Sequence, residues 1–364
     1  KIEDALVYAV SSRGFIIWDG PSQSEYALHV YQGATPEVSV QIGDRVTVIG
    51  RKQLYNNVPE ISDEGLKVKV NSSGNSLEPV RFADIGEDLD SWPDFTVAAS
   101  FKGTLVVHAP YYDIRTESSN RMGSLFWPKW NYSEYDGYTV RVFGYTVGYN
   151  DSYGDLVHTG LRVLDLPYES SIPEVLSGSN GKYFKVSGTV SRIDSEEYGN
   201  YNILDADGNE LYIYGTVDEW GAYPKDGAPG LADMGIEVGK KVMVVGVKKT
   251  YMVVTKELVD VVVTYVGESD FALPGTVPSG IPSVYDWNFS ADDWVSFFGN
   301  TWSSWSSNKA NFIFEKDGLT WHAEQNSNWG SSGNAYYIQT EGKGSVDDRY
   351  FSFMAPTAGT LYVW

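Results

Sequence analysis

One strand pattern, written three times, constrains this chain more than any other feature. Gly43-Asp-Arg-Val-Thr-Val-Ile-Gly50 runs on to Tyr55, Gly137-Tyr-Thr-Val-Arg-Val-Phe-Gly144 to Tyr149, and Gly239-Lys-Lys-Val-Met-Val-Val-Gly246 to Tyr251. Each fits Gly-x-x-Val-x-Val-x-Gly-x4-Tyr with identical offsets. The two valines alternate at period two and share one face of a strand, where β-branched side chains suit a half-buried pleat. The first glycine predicts a turn at strand entry, and the second predicts the bend or bulge that a small closed sheet needs. Three copies at one spacing predict three copies of one domain.

The 364 residues have room for several domains. Gly 37, Tyr 26 and Trp 12 make the chain aromatic and rich in turns, which points to an all-β class. No run of eighteen apolar residues is present, so no helix is expected to span a membrane. The absence of cysteine excludes disulfides, thiolate metal sites and cysteine nucleophiles together. The net charge of −21 is spread along the chain: −2 over 1–72, −7 over 73–169, −5 over 170–267 and −7 over 268–364. Non-specific nucleic-acid affinity comes from Lys and Arg neutralising phosphates, so this distribution disfavours a nucleic-acid partner.

Read in order, residues 1–72 give five strand-like runs, with the repeated pattern fourth. A second unit spans 78–168 and contains an irregular aromatic insertion, 110–135, ahead of its own copy of the pattern. The third covers 172–267, with a turn at Asp205-Ala-Asp207-Gly208. Five strands, a longer connection before the fourth and glycine-framed bends describe an OB-type Greek-key barrel. A linker with Pro274, Pro278 and Pro282 sets off 283–364, which holds seven of the twelve Trp and reads as short strands among many Ser and Asn. The expected fold is therefore all-β: three tandem OB-type five-stranded Greek-key barrels, then a further β domain.

Gly14-Phe-Ile-Ile-x-Asp-Gly20, a polar loop, then Val-x-Ile-Gly43-Asp-x-Val-x-Val-x-Gly50 resembles the tandem OB-fold modules of exported bacterial surface lipoproteins of the Bacteroidetes type. Phe351-Ser-Phe-Met-Ala-Pro356-x-x-Gly-Thr-Leu-x-Val363 resembles the closing strands of galactose-binding-like and jelly-roll modules, which often accompany carbohydrate-active proteins, and this implies a jelly-roll-like β-sandwich over 283–364. The first resemblance implies a place in the bacterial cell envelope, surface-exposed or periplasmic. It also implies membrane attachment only through an N-terminal lipid anchor lying outside this sequence. The second leaves room for a structural Ca²⁺ in the sandwich, with no residue singled out; no other cofactor is expected.

The residues offer little for catalysis. His29, His108, His158 and His322 lie in four separate segments, and no metalloprotease, nucleophile-elbow, P-loop or dinucleotide-binding motif occurs. Asp205-x-Asp207-Gly208-Asn-Glu210 alternates oxygen ligands, but its glycine is misplaced for a calcium loop, and Asp-Gly suits a hairpin turn. Binding is the better-supported role. The face of strands two and three in such barrels holds extended oligomers, so Trp18, His29 and Tyr31 in the first unit and Tyr212 and Tyr214 in the third are expected to point outward. Rings there either stack on sugars or bases, or cover a neighbouring domain. The insertion adds Tyr111, Tyr112, Arg115, Trp127 and Trp130, as a ligand surface or a satellite core, and Trp302 and Trp305 sit in a Ser/Asn-rich loop of the last domain. The leading expectation is a non-catalytic cell-surface protein that binds a polysaccharide or other extended polymer. The alternatives are a nucleic-acid-binding protein, with Arg51, Lys52, Lys67 and Lys69 as its one basic cluster, and a structural spacer.

Overall fold

The computed structural model describes residues 1–252, 254–271 and 273, and beyond them five strands between 312 and 353. Its first unit, Lys1–Leu273, contains three small closed sheets in succession. The first comprises β1 (Ile2–Val10), β2 (Gly14–Trp18), β3 (Leu28–Tyr31), β4 (Arg45–Tyr55) and β5 (Val58–Ser72). Its order is β1-β2-β3-β5-β4, closed by β4 on β1, with β3 and β5 parallel and the other pairs antiparallel. The second has a short flanking strand β6 (Ala83–Asp84), then β7 (Ala98–His108), β8 (Tyr111–Arg115), β9 (Met122–Leu125), β10 (Thr139–Tyr149) and β11 (Tyr153–Asp165). It closes in the same order through β10 on β7, again with its third and fifth strands, β9 and β11, parallel. The third follows a short helix α1 (Ile172–Ser177) and comprises β12 (Tyr183–Ser195), β13 (Asn200–Leu204), β14 (Glu210–Thr216), β15 (Lys240–Tyr251) and β16 (Thr255–Glu268). This strand order is that of the OB fold.

The repeated pattern is the fourth strand of each barrel. Gly43, Gly137 and Gly239 enter it at φ 84°, 79° and 91°, a region open to glycine and costly for residues with a Cβ. The second glycine sits where the ladder to strand five loses register, between Ile49 and Arg51, Phe143 and Gly144, and Val245 and Val247. A Cβ there would stand 2.6 Å from Ile61 at Gly50, 2.5 Å from the Val157 carbonyl oxygen at Gly144 and 2.7 Å from Val261 at Gly246. Glycine therefore lets the long strand bend tightly around its own core. The intervening valines, Val46 and Val48, Val140 and Val142, Val242 and Val244, are all buried.

Residues 110–135 are not an irregular insertion. They supply β8 and β9, the second and third strands of the second barrel. Met-Gly-Ser-Leu has no β-branched residue, so its strand identity comes from barrel closure rather than local preference. Gly123 is required there because the Phe101 ring occupies the space a Cβ would take, at 2.2 Å.

The barrels adhere through side chains on their outer surfaces. Tyr8 and Trp18 of the first meet Tyr145 of the second edge-on, with centroids 6.4 and 6.0 Å from it, and Phe126 reaches into the same apolar seam. Between the second and third, buried Arg141 bonds Asp84 at 2.9 Å and Glu219 at 2.8 Å, and its guanidinium lies 4.2 Å from the Trp220 ring centre. The helix, capped by Ser171 and Glu174 in a reciprocal box, packs Ile172 and Val175 into the third core. In the second unit, β17 (Phe312–Lys316), β18 (Leu319–Ala323) and β21 (Phe351–Phe353) form one sheet, and β19 (Ser327–Ser332) and β20 (Ala335–Thr340) another. Most of the expected sandwich over 283–364, including Trp302 and Trp305, lies outside the described residues.

Two glycines of the second barrel give a matched test. Gly144→Ala is expected to cost about 1–3 kcal/mol, the range for overpacking. Gly160→Ala has nothing within 4 Å of its new methyl and is expected to be neutral or slightly stabilising. Urea unfolding midpoints of the two variants check both outcomes.

Candidate ligand-binding face

The three barrels expose their strand-two and strand-three faces differently. In the first, the expected ligand-facing residues do point out of the barrel, but the second barrel covers them. Trp18 is 7% exposed and His29 0%. Phe126 fills the face, with its ring 5.1 Å from His29, 6.3 Å from Tyr31 and 5.9 Å from Tyr55. Trp18 donates its indole N–H to the Ser24 carbonyl at 3.0 Å, and His29 Nδ1 lies 3.0 Å from Glu60 Oε2. These are interior contacts, with His29 Nε2 buried and without a hydrogen-bond partner among the described residues, which corrects the expectation of a free aromatic surface here. A sequence signal was available: Phe15-Ile-Ile-Trp18 is apolar without alternation, as in strands buried on both faces.

The face of the second barrel is partly closed by the first. Asp113, Ser124 and Asp155 form one row across β8, β9 and β11. At one end His108 Nε2 lies 2.5 Å from Asp113; at the other, Tyr55 of the first barrel donates its hydroxyl to Asp155 at 2.9 Å. Burial pushes the Asp155 carboxyl up to about 7, with Asp113 adding to the rise and the Tyr55 and Ser124 hydrogen bonds opposing it. Tyr112 does not face a ligand: it points into the core and donates to Asn131 at 3.0 Å. Tyr111 and Arg115 are exposed, Trp127 lies half-buried under the Arg13 guanidinium at 3.2 Å, and exposed Trp130 packs its ring against His158. Burial lowers His158 to about 4, and its Nε2 meets the Tyr132 hydroxyl at 2.9 Å.

The face of the third barrel stays open. Leu211 and Ile213 turn into the core, leaving Tyr212 half-buried and Tyr214 50% exposed on the outside, with centroids 6.3 Å apart. Beside them a cleft of about 360 Å³ is lined by Arg192, Asp194, Asn202, Glu210, Tyr212, Thr255 and Lys256. Asp194 holds Arg192 by two bonds, 2.6 and 3.2 Å, and accepts a third from Asn202 at 3.1 Å. Tyr198, in the loop between strands one and two, carries Lys225 5.0 Å from its ring centre. Asp205 caps its own turn, accepting the Asp207 and Asn209 amides and the Asn209 side chain. Among the described residues, no three His, Asp or Glu side chains gather as a metal would need. Arg51, Lys52, Lys67 and Lys69 lie on the β4–β5 ribbon of the first barrel rather than on any such face.

No family model matches the chain, and no curated protein does. Among solved structures it is similar to a murine DNA-binding protein bound to double-stranded DNA, with TM-score 0.22 and 10% identity over 48% of this chain and 99% of that one. It is also similar to a replication protein A heterotrimer bound to single-stranded DNA, with TM-score 0.21 and 11% identity over 74% of this chain and 93% of that one. At these scores the likeness carries no argument about ligand; the OB assignment rests on the strand order itself.

The two buried groups of the second barrel pull stability in opposite directions with pH. Asp155 rises from 3.8 to about 7, so the stability of its protonated form is complete below pH 3.8 and lost as pH climbs to about 7. His158 falls from 6.5 to about 4, so its contribution is complete above pH 6.5 and lost as pH drops to about 4. Asp155→Asn, whose amide oxygen can still accept from Tyr55, should gain stability relative to the parent at pH 8 compared with pH 4. Urea midpoints at the two pH values measure this, and an unchanged difference would contradict it.

Proposed function

We propose that this is a binding protein, not an enzyme, that lays an extended oligomer across the third barrel, along β13 and β14. One observation supports this above the others: the outward rings Tyr212 and Tyr214 remain accessible, while the corresponding face of the first barrel is filled by Phe126. The first two barrels then act as a rigid support. The resemblance of the repeated module to exported bacterial domains supports an envelope setting.

Faces of this kind take oligosaccharides or oligonucleotides. Charge favours a neutral glycan. Asp194 already holds Arg192, and the carboxylate of Glu210 lines the same cleft, leaving little unpaired positive charge for phosphates. Sugar rings can stack on the tyrosines while their hydroxyls bond Asp194, Asn202 and Glu210. A single nucleic-acid strand is the second reading, favoured by Lys256 in the cleft and Lys225 beside Tyr198.

Affinity electrophoresis in polysaccharide gels and a glycan array test the first reading. Anisotropy with labelled single strands at about 50 and about 200 mM salt tests the second, because phosphate contacts make affinity fall steeply with salt. Replacing both tyrosines, Tyr212→Ala with Tyr214→Ala, should reduce whichever binding is found by at least about tenfold, given about 1–3 kcal/mol per stacked base. Binding insensitive to both changes would remove this face as the site.

A further inference from the structure

The hairpin joining β15 to β16 departs from its two sisters at one point. After the template tyrosine the first copy continues Asn56-Asn57, the second Asn150-Asp151, and the third Met252-Val253-Val254. Asn56 and Asn57 adopt φ 41° and 72°, a left-handed backbone that Asn tolerates. Met252 stands at φ 45° without that tolerance, and it is 73% exposed. Its neighbours Tyr251 and Val254 are 57% and 77% exposed. Tyr55 bonds Asp155 and Tyr149 bonds Asp94, whereas the Tyr251 side chain has no partner among the described residues. Strained backbone carrying exposed apolar side chains where polar ones would serve the fold better marks a position kept for a purpose other than stability.

Lysines ring this tip in a chain whose carboxylates outnumber its cations 48 to 27. Lys249 and Lys256 are exposed on the two arms of the hairpin. Lys182 is exposed on the adjoining chain, where its carbonyl accepts the Lys248 amide at 2.9 Å. Lys248 Nζ is held by Asn180 and Thr250, each at 3.1 Å. None of Lys182, Lys249 and Lys256 makes an ion pair among the described residues. Glu257, which stands opposite Lys249, is only 7% exposed.

We propose that the β15–β16 hairpin tip is a membrane-contact site: Tyr251, Met252 and Val254 enter the interface of an anionic lipid surface, and Lys182, Lys249 and Lys256 meet its headgroups. Apolar side chains at the depth of the acyl boundary with cations at headgroup level form the two-part signal that peripheral contact requires. The net charge of −21 disfavours approach of the chain at large to negative lipid, so the lysines around the apolar tip favour contact at this end. The contact is weak and reversible, because three side chains and three cations are far short of an anchor.

Flotation of the full chain with extruded vesicles tests this. The chain should float with phosphatidylcholine vesicles containing about a third phosphatidylglycerol at least about fivefold more than with phosphatidylcholine alone, and less as salt shortens the screening length. Met252→Asn with Val254→Ser restores the polar turn of the sister hairpins, suits the left-handed backbone, and should return flotation to background at an unchanged urea midpoint. Tyr212→Ala with Tyr214→Ala should float like the parent, so failure of this proposal and failure of oligomer binding are separate results. In Met252→Trp, the added emission should be quenched by brominated acyl chains. The proposal is overturned by no flotation, by equal flotation on both vesicles, or by flotation that survives the polar turn. Dimerisation in solution that depends on Met252 would assign the tip to a second copy and overturn it equally.

Discussion

The arrangement depends on how the first barrel disposes of an outer surface that water does not suit. Its second strand is apolar on both sides: Phe15 and Ile17 fill the barrel, while Ile16 and Trp18 face away from it. A small closed sheet with such an exterior must bury it against a neighbour. The second barrel provides Phe126, Tyr145, Val147 and Val157, and the two become one body. That burial covers the face of the first barrel's second and third strands, fixes the second barrel beside it and leaves the third with the open face.

The three copies have diverged in ways that follow from this packing. Tyr55, at the end of the first copy's fourth strand, is drawn across the seam to Asp155. The Tyr149 hydroxyl bonds Asp94 beside its own barrel while its backbone bonds Asn56 and Asn57 of the first, and Tyr251 remains at the surface. Gly148 accommodates the Tyr55 ring, since a Cβ there would stand 2.3 Å from it, so the close approach of the first two barrels is written into a second glycine beside the template one. The third barrel is held differently, through a polar clasp in which Arg141 answers Asp84 and Glu219 while stacking near Trp220.

Much of the fold was legible because it is carried by local chemistry that recurs. Glycines at positive φ, glycines at the bend and alternating valines are short-range requirements, and three copies made them visible. The second barrel's β8 and β9 were not legible, because Met122-Gly-Ser-Leu125 lacks strand-forming side chains and is extended only by pairing with β8 and β11. The site was half legible. Outward direction could be read from the period of two, and it holds for Trp18, His29, Tyr212 and Tyr214 alike. Whether a neighbour covers the outward residue is a long-range property, hinted at only by the unbroken apolar run ending at Trp18. Tyr112 was misread because the strand that turns it inward was itself not seen.

The central claim is that the first barrel's aromatic face is sealed and the third's is free. Residue-resolved oxidative footprinting of the folded chain by mass spectrometry measures that contrast directly. Tyr214, half exposed, should be modified rapidly, while Tyr8, Trp18 and Tyr145, at 3%, 7% and 1% exposure, should stay protected until the chain unfolds. Modification of Trp18 and Tyr145 in the folded chain at the rate of Tyr214 would contradict the account.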